Sequence, residues 1–140
     1  MVYYSNGLRT KPSKYKKNPK PGKVIGNFDE FSQNFLFRLT NLRRLYLCDN
    51  QIIKIEGLEQ NIYLEDLFLA ENRITKLDGL GHLSRLTRLE LGKNQIASIE
   101  NLNGLQSLTQ LSLEDNEVTT LSGLSSLTSL MELCIFSYFS

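Results

Sequence analysis

Residues 39–60 read LTNLRRLYLCDNQIIKIEGLEQ, and three further copies of this pattern follow without a gap. The copies occupy residues 61–82, 83–104 and 105–126, so the period is 22 residues. Each contains a run of the form L-x-x-L-x-L-x-x-N, and the runs end at Asn50, Asn72, Asn94 and Asn116. Self-similarity at a period in the twenties with this leucine spacing predicts a stacked solenoid.

Six positions in every copy carry an aliphatic residue. In the first copy they are Leu42, Leu45, Leu47, Ile52, Ile55 and Leu58. Side chains alternate along an extended chain, so Leu45 and Leu47 share one face of a short strand and Tyr46 points to the other. Ile52, Ile55 and Leu58 lie three residues apart, a spacing that suits a tight helical turn. Stacked copies should therefore form a parallel sheet on one side and short returning turns on the other.

The repeated units resemble the 22-residue class of leucine-rich repeat found in intracellular proteins, the type of protein phosphatase-1 regulatory subunits and axonemal dynein light chains. The resemblance covers residues 39–135. It implies an α/β fold, a right-handed leucine-rich repeat solenoid with parallel β-strands on the concave face and short helical turns on the convex face. Because members of this family bind unrelated partners, the resemblance implies protein binding without naming the partner.

The asparagine column needs a reason of its own, because a polar side chain among buried leucines is costly unless its donors and acceptors are used. The resemblance implies that each amide bonds backbone groups where the strand bends away, including those of a neighbouring copy. The four asparagines are therefore predicted to form a structural ladder.

Charge divides the chain unevenly. Residues 1–28 hold 7 basic residues and no acidic one, a net charge of +7; the rest holds 9 basic and 15 acidic residues, a net charge of −6. Lysines, prolines and few aliphatics fill residues 1–23, which are predicted to be a basic disordered tail. Residues 9–23 could bind nucleic acid or an anionic membrane. The alternative is a solvated tail, or one that lies loosely against its own acidic solenoid.

Both ends of a solenoid expose core and need a cap. Residues 24–38 are predicted to supply the first cap as a short helix, with Asn27 as its N-cap. Its apolar stripe would consist of Phe28, Phe31, Phe35 and Leu36. A degenerate extra repeat, with Leu36 in the column of Leu58, is the alternative.

The other end departs from the pattern. Residues 39–135 contain four complete copies and the start of a fifth, and Tyr138 stands where the next asparagine is due. Residues 136–140 are therefore assigned to a non-repeat end, which would leave aromatic residues beside an uncovered core edge. We expect a shortened form of a longer protein, such as an alternative splice product; a compact aromatic cap is the alternative.

Function is expected on the displayed side of the strands, here called the concave face. Its positions are 44, 46, 48, 66, 68, 70, 88, 90, 92, 110, 112, 114, 132, 134 and 136. Two adjacent aromatic residues with charged neighbours are typical of a protein-binding hot spot. The predicted partner-binding residues are Arg43, Arg44, Tyr46, Asp66, Phe68, Arg88 and Glu90. Alternatively, the two rings only stack on each other, and opposite charges on neighbouring strands neutralise one another.

Catalysis is not expected, because His82 is the only histidine and no metal-ligand spacing, nucleophile elbow or phosphate loop occurs. The chain is predicted to be a non-catalytic monomer without cofactor or metal. It would bind a protein partner as a regulatory or scaffolding subunit in a phosphatase, ciliary or cytoskeletal setting. An adaptor in a ribonucleoprotein complex, using the basic tail, is the alternative.

The expected location is the cytoplasm, with the nucleus or a cilium as further settings. The sequence has no apolar run near the roughly 20 residues of a membrane helix, and its first residues lack the apolar region of a secretory signal. Cys48 and Cys134 fall in displayed positions several strands apart, too distant to pair within the chain.

Overall fold

Six short strands lie side by side in the part of the chain that the structure describes. The computed structural model describes residues 2–3 and 36–136. Its strands are β1 (Val2–Tyr3), β2 (Arg44–Tyr46), β3 (Asp66–Phe68), β4 (Arg88–Glu90), β5 (Gln110–Ser112) and β6 (Glu132–Cys134). They form one sheet in chain order, and every neighbouring pair is parallel.

The register of the sheet follows the repeat period. The central residues of β2 to β6 are aligned partners, and they are Leu45, Leu67, Leu89, Leu111 and Leu133. Because each of these lies 22 residues after the last, every copy adds one turn to a solenoid. The predicted parallel-strand repeat solenoid is confirmed.

The core consists of the aliphatic columns. Leu45, Leu67 and Leu89 are fully buried behind the strands. Ile52, Ile74 and Ile96 begin the returning segments, and all are buried. Burying one such side chain contributes roughly 1.5–3 kcal/mol, so a column that repeats in every copy is the main source of stability.

The returning segments are mostly turns rather than helices. A 3₁₀ helix at Ser122–Ser126 belongs to the fourth copy. In earlier copies single turns take its place, as where Asn61 N–H donates to Leu58 O (2.9 Å) and Leu64 N–H donates to Asn61 O (3.0 Å). A 22-residue copy that also contains a strand leaves few residues for a regular helix. None of the helical segments in the described residues has the length and apolar character needed to cross a membrane.

Val2 and Tyr3 form the N-terminal edge of the sheet. They pair in parallel with Leu45 and Tyr46, and they belong to the segment predicted to be a basic disordered tail. The first repeat strand offers unpaired backbone groups at its edge, and valine and tyrosine favour extended structure. The remaining predictions for residues 4–35, including the basic segment and most of the capping helix, lie outside the described residues. Residues 36–38 are helical, and Leu36 is fully buried.

The C-terminal edge is less well covered than the middle. β6 pairs with β5 in the register expected of a fifth copy. Leu121 is 48% exposed, whereas Ile99, its equivalent one copy earlier, is 3% exposed. Phe136 is 80% exposed, and residues 137–140 lie outside the described part of the chain.

Candidate functional site

The side chains of the asparagine column form hydrogen bonds with backbone groups at the ends of the strands. The Asn72 Nδ2 donates to the carbonyl oxygens of Leu47 (2.9 Å), Leu69 (2.9 Å) and Ala70 (3.2 Å). Its Oδ1 accepts from the backbone N–H of Ile52 (3.0 Å). The amide therefore joins two successive copies while it closes the bend of its own copy.

The same bonds recur one copy at a time. The Asn94 Nδ2 reaches Leu69 O (3.0 Å), and the Asn116 Nδ2 reaches Leu91 O (2.8 Å), each in the preceding copy. Asn50, in the first copy, donates to carbonyls of its own copy. The bonds have the pattern predicted for a structural ladder, which leaves binding to the displayed positions.

Two rings stack on the concave face. The Tyr46 and Phe68 ring centroids are 4.4 Å apart, and their planes differ by 4°. In-register pairing of β2 with β3 brings the two residues opposite each other, and the strand spacing sets the ring separation. Both are half-buried, so their outer edges remain available to a partner. The stacking predicted as an alternative is present, and it is compatible with a binding surface.

Charged residues beside the rings pair across the strands. Arg43 pairs with Glu65, and the Arg44 Nε lies 2.8 Å from Asp66 Oδ2. The Lys93 Nζ lies 3.1 Å from Glu71 Oε1 at the rim. The basic side chain of each pair is more than half exposed, so each pair contributes at most about 1 kcal/mol and serves mainly to cancel charge.

The first residues of β2 to β6 form the first column of the concave face, and polar contacts continue along it. The Arg88 Nε donates to Gln110 Oε1, and the Gln110 Nε2 donates to Glu132 Oε2 (2.8 Å). Arg88 is thus held toward β5. Neutralisation by opposite charges on neighbouring strands, the alternative considered above, is present at Arg44 and Asp66, whereas Arg88 and Glu132 are connected through the neutral Gln110.

Two carboxylates on the concave face lack such partners. Within residues 36–136, neither Glu90 nor Glu114 makes an ion pair or a side-chain hydrogen bond. The charged residues at the concave positions are Arg44, Asp66, Arg88, Glu90, Glu114 and Glu132. Two positive and four negative charges give this face a net charge of −2.

Ser112 is the displayed residue that the sequence placed wrongly. It is only 8% exposed, although the alternation of β5 directs it to the concave face. Its aligned neighbours on the adjacent strands are Glu90 and Cys134. Its Oγ is buried and has no hydrogen-bond partner in the described residues.

The two cysteines are free thiols at opposite ends of the concave face. Burial raises the pKa of the Cys48 thiol, and the negative charges of Glu71 and Glu90 raise it further, while a hydrogen bond with the Ala70 backbone acts against them. Cys48 is therefore a weak nucleophile at neutral pH.

All seven predicted partner-binding residues lie on or beside one surface. The structure stacks Tyr46 with Phe68, pairs Arg44 with Asp66, and leaves Glu90 without an ion pair among described residues. Their role in binding remains a prediction.

Asn61 is a polar residue whose role the sequence analysis missed. It stands in a column that is otherwise leucine, is fully buried, and its Nδ2 donates to Leu36 O (3.0 Å) and Leu39 O (2.9 Å). Asparagine in an aliphatic column was the available signal. It fixes the end of the capping segment to the second copy.

His82 has a structural contact. Its Nε2 lies 2.9 Å from Leu58 O, which links the returning segments of two copies. In the described residues, no three histidine, cysteine or acidic side chains are grouped as metal ligands would be.

Comparison with known sequences matches the repeats. The family described as leucine-rich repeats (2 copies) matches residues 40–82 and residues 64–104. Among curated proteins, none matches the chain.

Solved structures match the solenoid. Internalin C2 of Listeria monocytogenes is 35% identical, with a TM-score of 0.67 over 71% of this chain and 44% of that one. The internalin InlF from the same organism is 30% identical, with a TM-score of 0.62 over 71% of this chain and 36% of that one. The functional domain of InlJ, also from Listeria monocytogenes and described as including a cysteine ladder, is 31% identical, with a TM-score of 0.64, over 82% and 24%. The chain spans less than half the length of each of these structures.

Proposed function

We propose that the chain is a leucine-rich repeat protein, a non-catalytic module that binds a protein partner through its concave face. The family match to residues 40–104 supports this proposal. Proteins with this fold commonly serve as protein-interaction modules. The observation that supports the proposal is the stacked pair Tyr46 and Phe68. Both rings are half-buried, and the charged residues just before them in sequence form the ion pairs Arg43–Glu65 and Arg44–Asp66.

The physical basis is the composition of the surface. Rigid aromatic side chains lose little conformational entropy on binding, and the two rings already hold each other in place. The ion pairs around them cancel charge, so a partner that covers the rings meets few uncompensated charges in this half of the face.

A more specific proposal concerns the type of assembly to which the protein belongs. We propose a regulatory or scaffolding subunit of the intracellular class, acting as a monomer in a phosphatase, ciliary or cytoskeletal assembly. The support is the 22-residue repeat length. Binding of nucleic acid or an anionic membrane through residues 9–23 is a separate proposal, which rests on the +7 charge of residues 1–28.

The decisive substitution is Tyr46→Ala combined with Phe68→Ala. Partners cross-linked to the full chain would be identified by mass spectrometry, and the affinity of the leading partner would be measured by calorimetry. The double variant should weaken binding by more than about tenfold, because hot-spot residues each contribute 2 kcal/mol or more.

Ile53→Ala is the matched control. Ile53 is also apolar and is 62% exposed, but it lies on the returning segment of the first copy. Both variants should keep the circular dichroism spectrum of the original chain. Equal affinity of the double variant and the control for the partner would exclude the concave face as the binding surface.

A further inference from the structure

We propose that the concave face receives one basic side chain of its protein partner, an arginine or a lysine, at the exposed outer side of the Phe68 ring and the Glu90 carboxylate. This inference rests on the proposed function and names the chemistry of the partner.

The first argument is uncompensated charge. The N-terminal half of the face cancels its charges through Arg43 with Glu65 and Arg44 with Asp66. Within residues 36–136, Glu90 and Glu114 have no such partners, and the face retains a net charge of −2. A carboxylate that a protein partner covers needs an opposite charge, since a buried unpaired ion is strongly unfavourable.

The second argument is the position of Glu90 beside an aromatic ring. The sheet register aligns Tyr46, Phe68 and Glu90 on successive strands. One face of the Phe68 ring stacks on Tyr46, so its other face is directed toward β4 and Glu90. A cation within about 6 Å of a ring centroid is attracted to the ring face. A guanidinium that pairs with Glu90 can therefore contact Phe68 at the same time.

Ser112 provides a third, independent observation. Its hydroxyl is more than nine-tenths buried, has no hydrogen-bond partner in the described residues, and belongs to the concave position next to Glu90. A buried polar atom without a partner is unfavourable, so the hydroxyl is suited to a group that arrives on binding. By rotation the hydroxyl can donate a hydrogen bond to the neighbouring Glu90 carboxylate, or accept one from an arriving guanidinium.

Arg88 does not already fill this role. It lies two residues from Glu90 on β4, but its Nε donates to Gln110 on β5. The positive charge of Arg88 repels a second cation. The incoming cation should therefore bind beside Phe68 and Glu90 and not beside Arg88. Arginine fits this arrangement better than lysine, because its planar guanidinium can stack on a ring and pair with a carboxylate together.

The test uses a defined probe. A five-residue peptide, acetyl-Ala-Ala-Arg-Ala-Ala-amide, would be titrated into the full chain and followed through backbone amide shifts in NMR spectra. The matched probe carries citrulline, which has the shape of arginine without its charge. The arginine peptide should shift the amides of Phe68, Glu90 and Ser112 in a saturable way, and the citrulline peptide should not.

Glu90→Gln should weaken binding of the arginine peptide by about tenfold, because it removes the negative charge that pairs with the guanidinium. Phe68→Leu should also weaken it, since it removes the ring while retaining apolar volume. Glu117→Gln is the control: it makes the same change of charge at an exposed residue outside the concave face and should leave the affinity unchanged.

Three results would overturn the proposal. The first is that the citrulline peptide shifts the same amide signals as the arginine peptide. The second is that Glu90→Gln leaves the affinity for the arginine peptide unchanged. The third is that the Glu90 amide signal shifts, with no peptide added, when Lys11, Lys14, Lys16 and Lys17 are changed to glutamine. The last would assign the site to the protein's own basic segment. If Glu90→Gln leaves partner affinity unchanged while Tyr46→Ala with Phe68→Ala removes it, this proposal fails and the proposed function stands.

Discussion

At the scale of single residues, each ladder asparagine satisfies backbone groups that the bend would otherwise leave without partners. The Asn72 amide donates to three carbonyls and accepts from one N–H, all within 3.2 Å. Only a side chain with both a donor and an acceptor at this length can do so. The contribution of Asn72 to the free energy of unfolding therefore depends on the buried backbone groups that its side chain hydrogen-bonds.

Asn72→Ala should lower the free energy of unfolding by about 1 to 3 kcal/mol, because it strands buried backbone groups. Asn72→Asp should cost more, since a carboxylate keeps the acceptor but faces three carbonyl oxygens without a proton to donate. Urea unfolding followed by circular dichroism measures both. Asn103→Ala, at an exposed asparagine, is the control and should be nearly neutral, whereas unchanged stability of Asn72→Ala would argue against the ladder.

At the scale of elements, two returning segments come into close backbone contact at Gly104. A Cβ placed on Gly104 would lie 1.5 Å from the carbonyl oxygen of Gly81 in the preceding copy. This contact is with backbone, so no side-chain rotation can relieve it. Glycine is required at this position because the backbone of residue 104 packs directly against the backbone of residue 81.

Gly104→Ala should therefore destabilise the protein by about 1 to 3 kcal/mol, the usual effect of overpacking. Gly81→Ala provides the comparison, because a Cβ there would meet its nearest atom, Asn101 O, at 3.6 Å, an ordinary contact. Thermal unfolding of the two variants should separate them by several degrees. If both unfold at the same temperature, the close approach of the returning segments is not what requires glycine.

At the scale of the whole molecule, burial declines toward the C-terminal end. Leu89, in the middle strand of the repeats, is fully buried, while its equivalent Leu133 is only partly buried. In a solenoid each copy is stabilised by its neighbours, so a copy with one neighbour is held less firmly. The last strand should open first, and the central copies should be the most protected from hydrogen exchange.

Two matched substitutions examine this gradient. Leu89→Ala should cost about 2 to 5 kcal/mol, the range for fully buried leucines, and Leu133→Ala should cost less than about 2 kcal/mol. Both change the same aligned position of a strand, so only the surroundings differ. Urea unfolding gives the two values, and equal costs would show that the fifth copy is as firmly packed as the third.

The sequence by itself determined the period, and through it the register of the sheet, the buried columns and the displayed positions. Leu45, Leu67 and Leu89 are aligned because the copies are equal in length, and Tyr46 and Phe68 are displayed because side chains alternate along a strand. These are local properties of spacing, so they can be read before any fold is known.

Only the tertiary structure decided how side chains combine between strands. Ser112 is buried although its strand directs it to the concave face, and the bonds of Asn61 depend on where the capping segment comes to lie. The pairing of Val2 and Tyr3 with the first repeat strand joins residues more than 40 positions apart. The ion pairs in the structure show that, within residues 36–136, Glu90 has no ion-pair partner. Each of these results depends on lateral contacts between copies, and a one-dimensional pattern does not contain them.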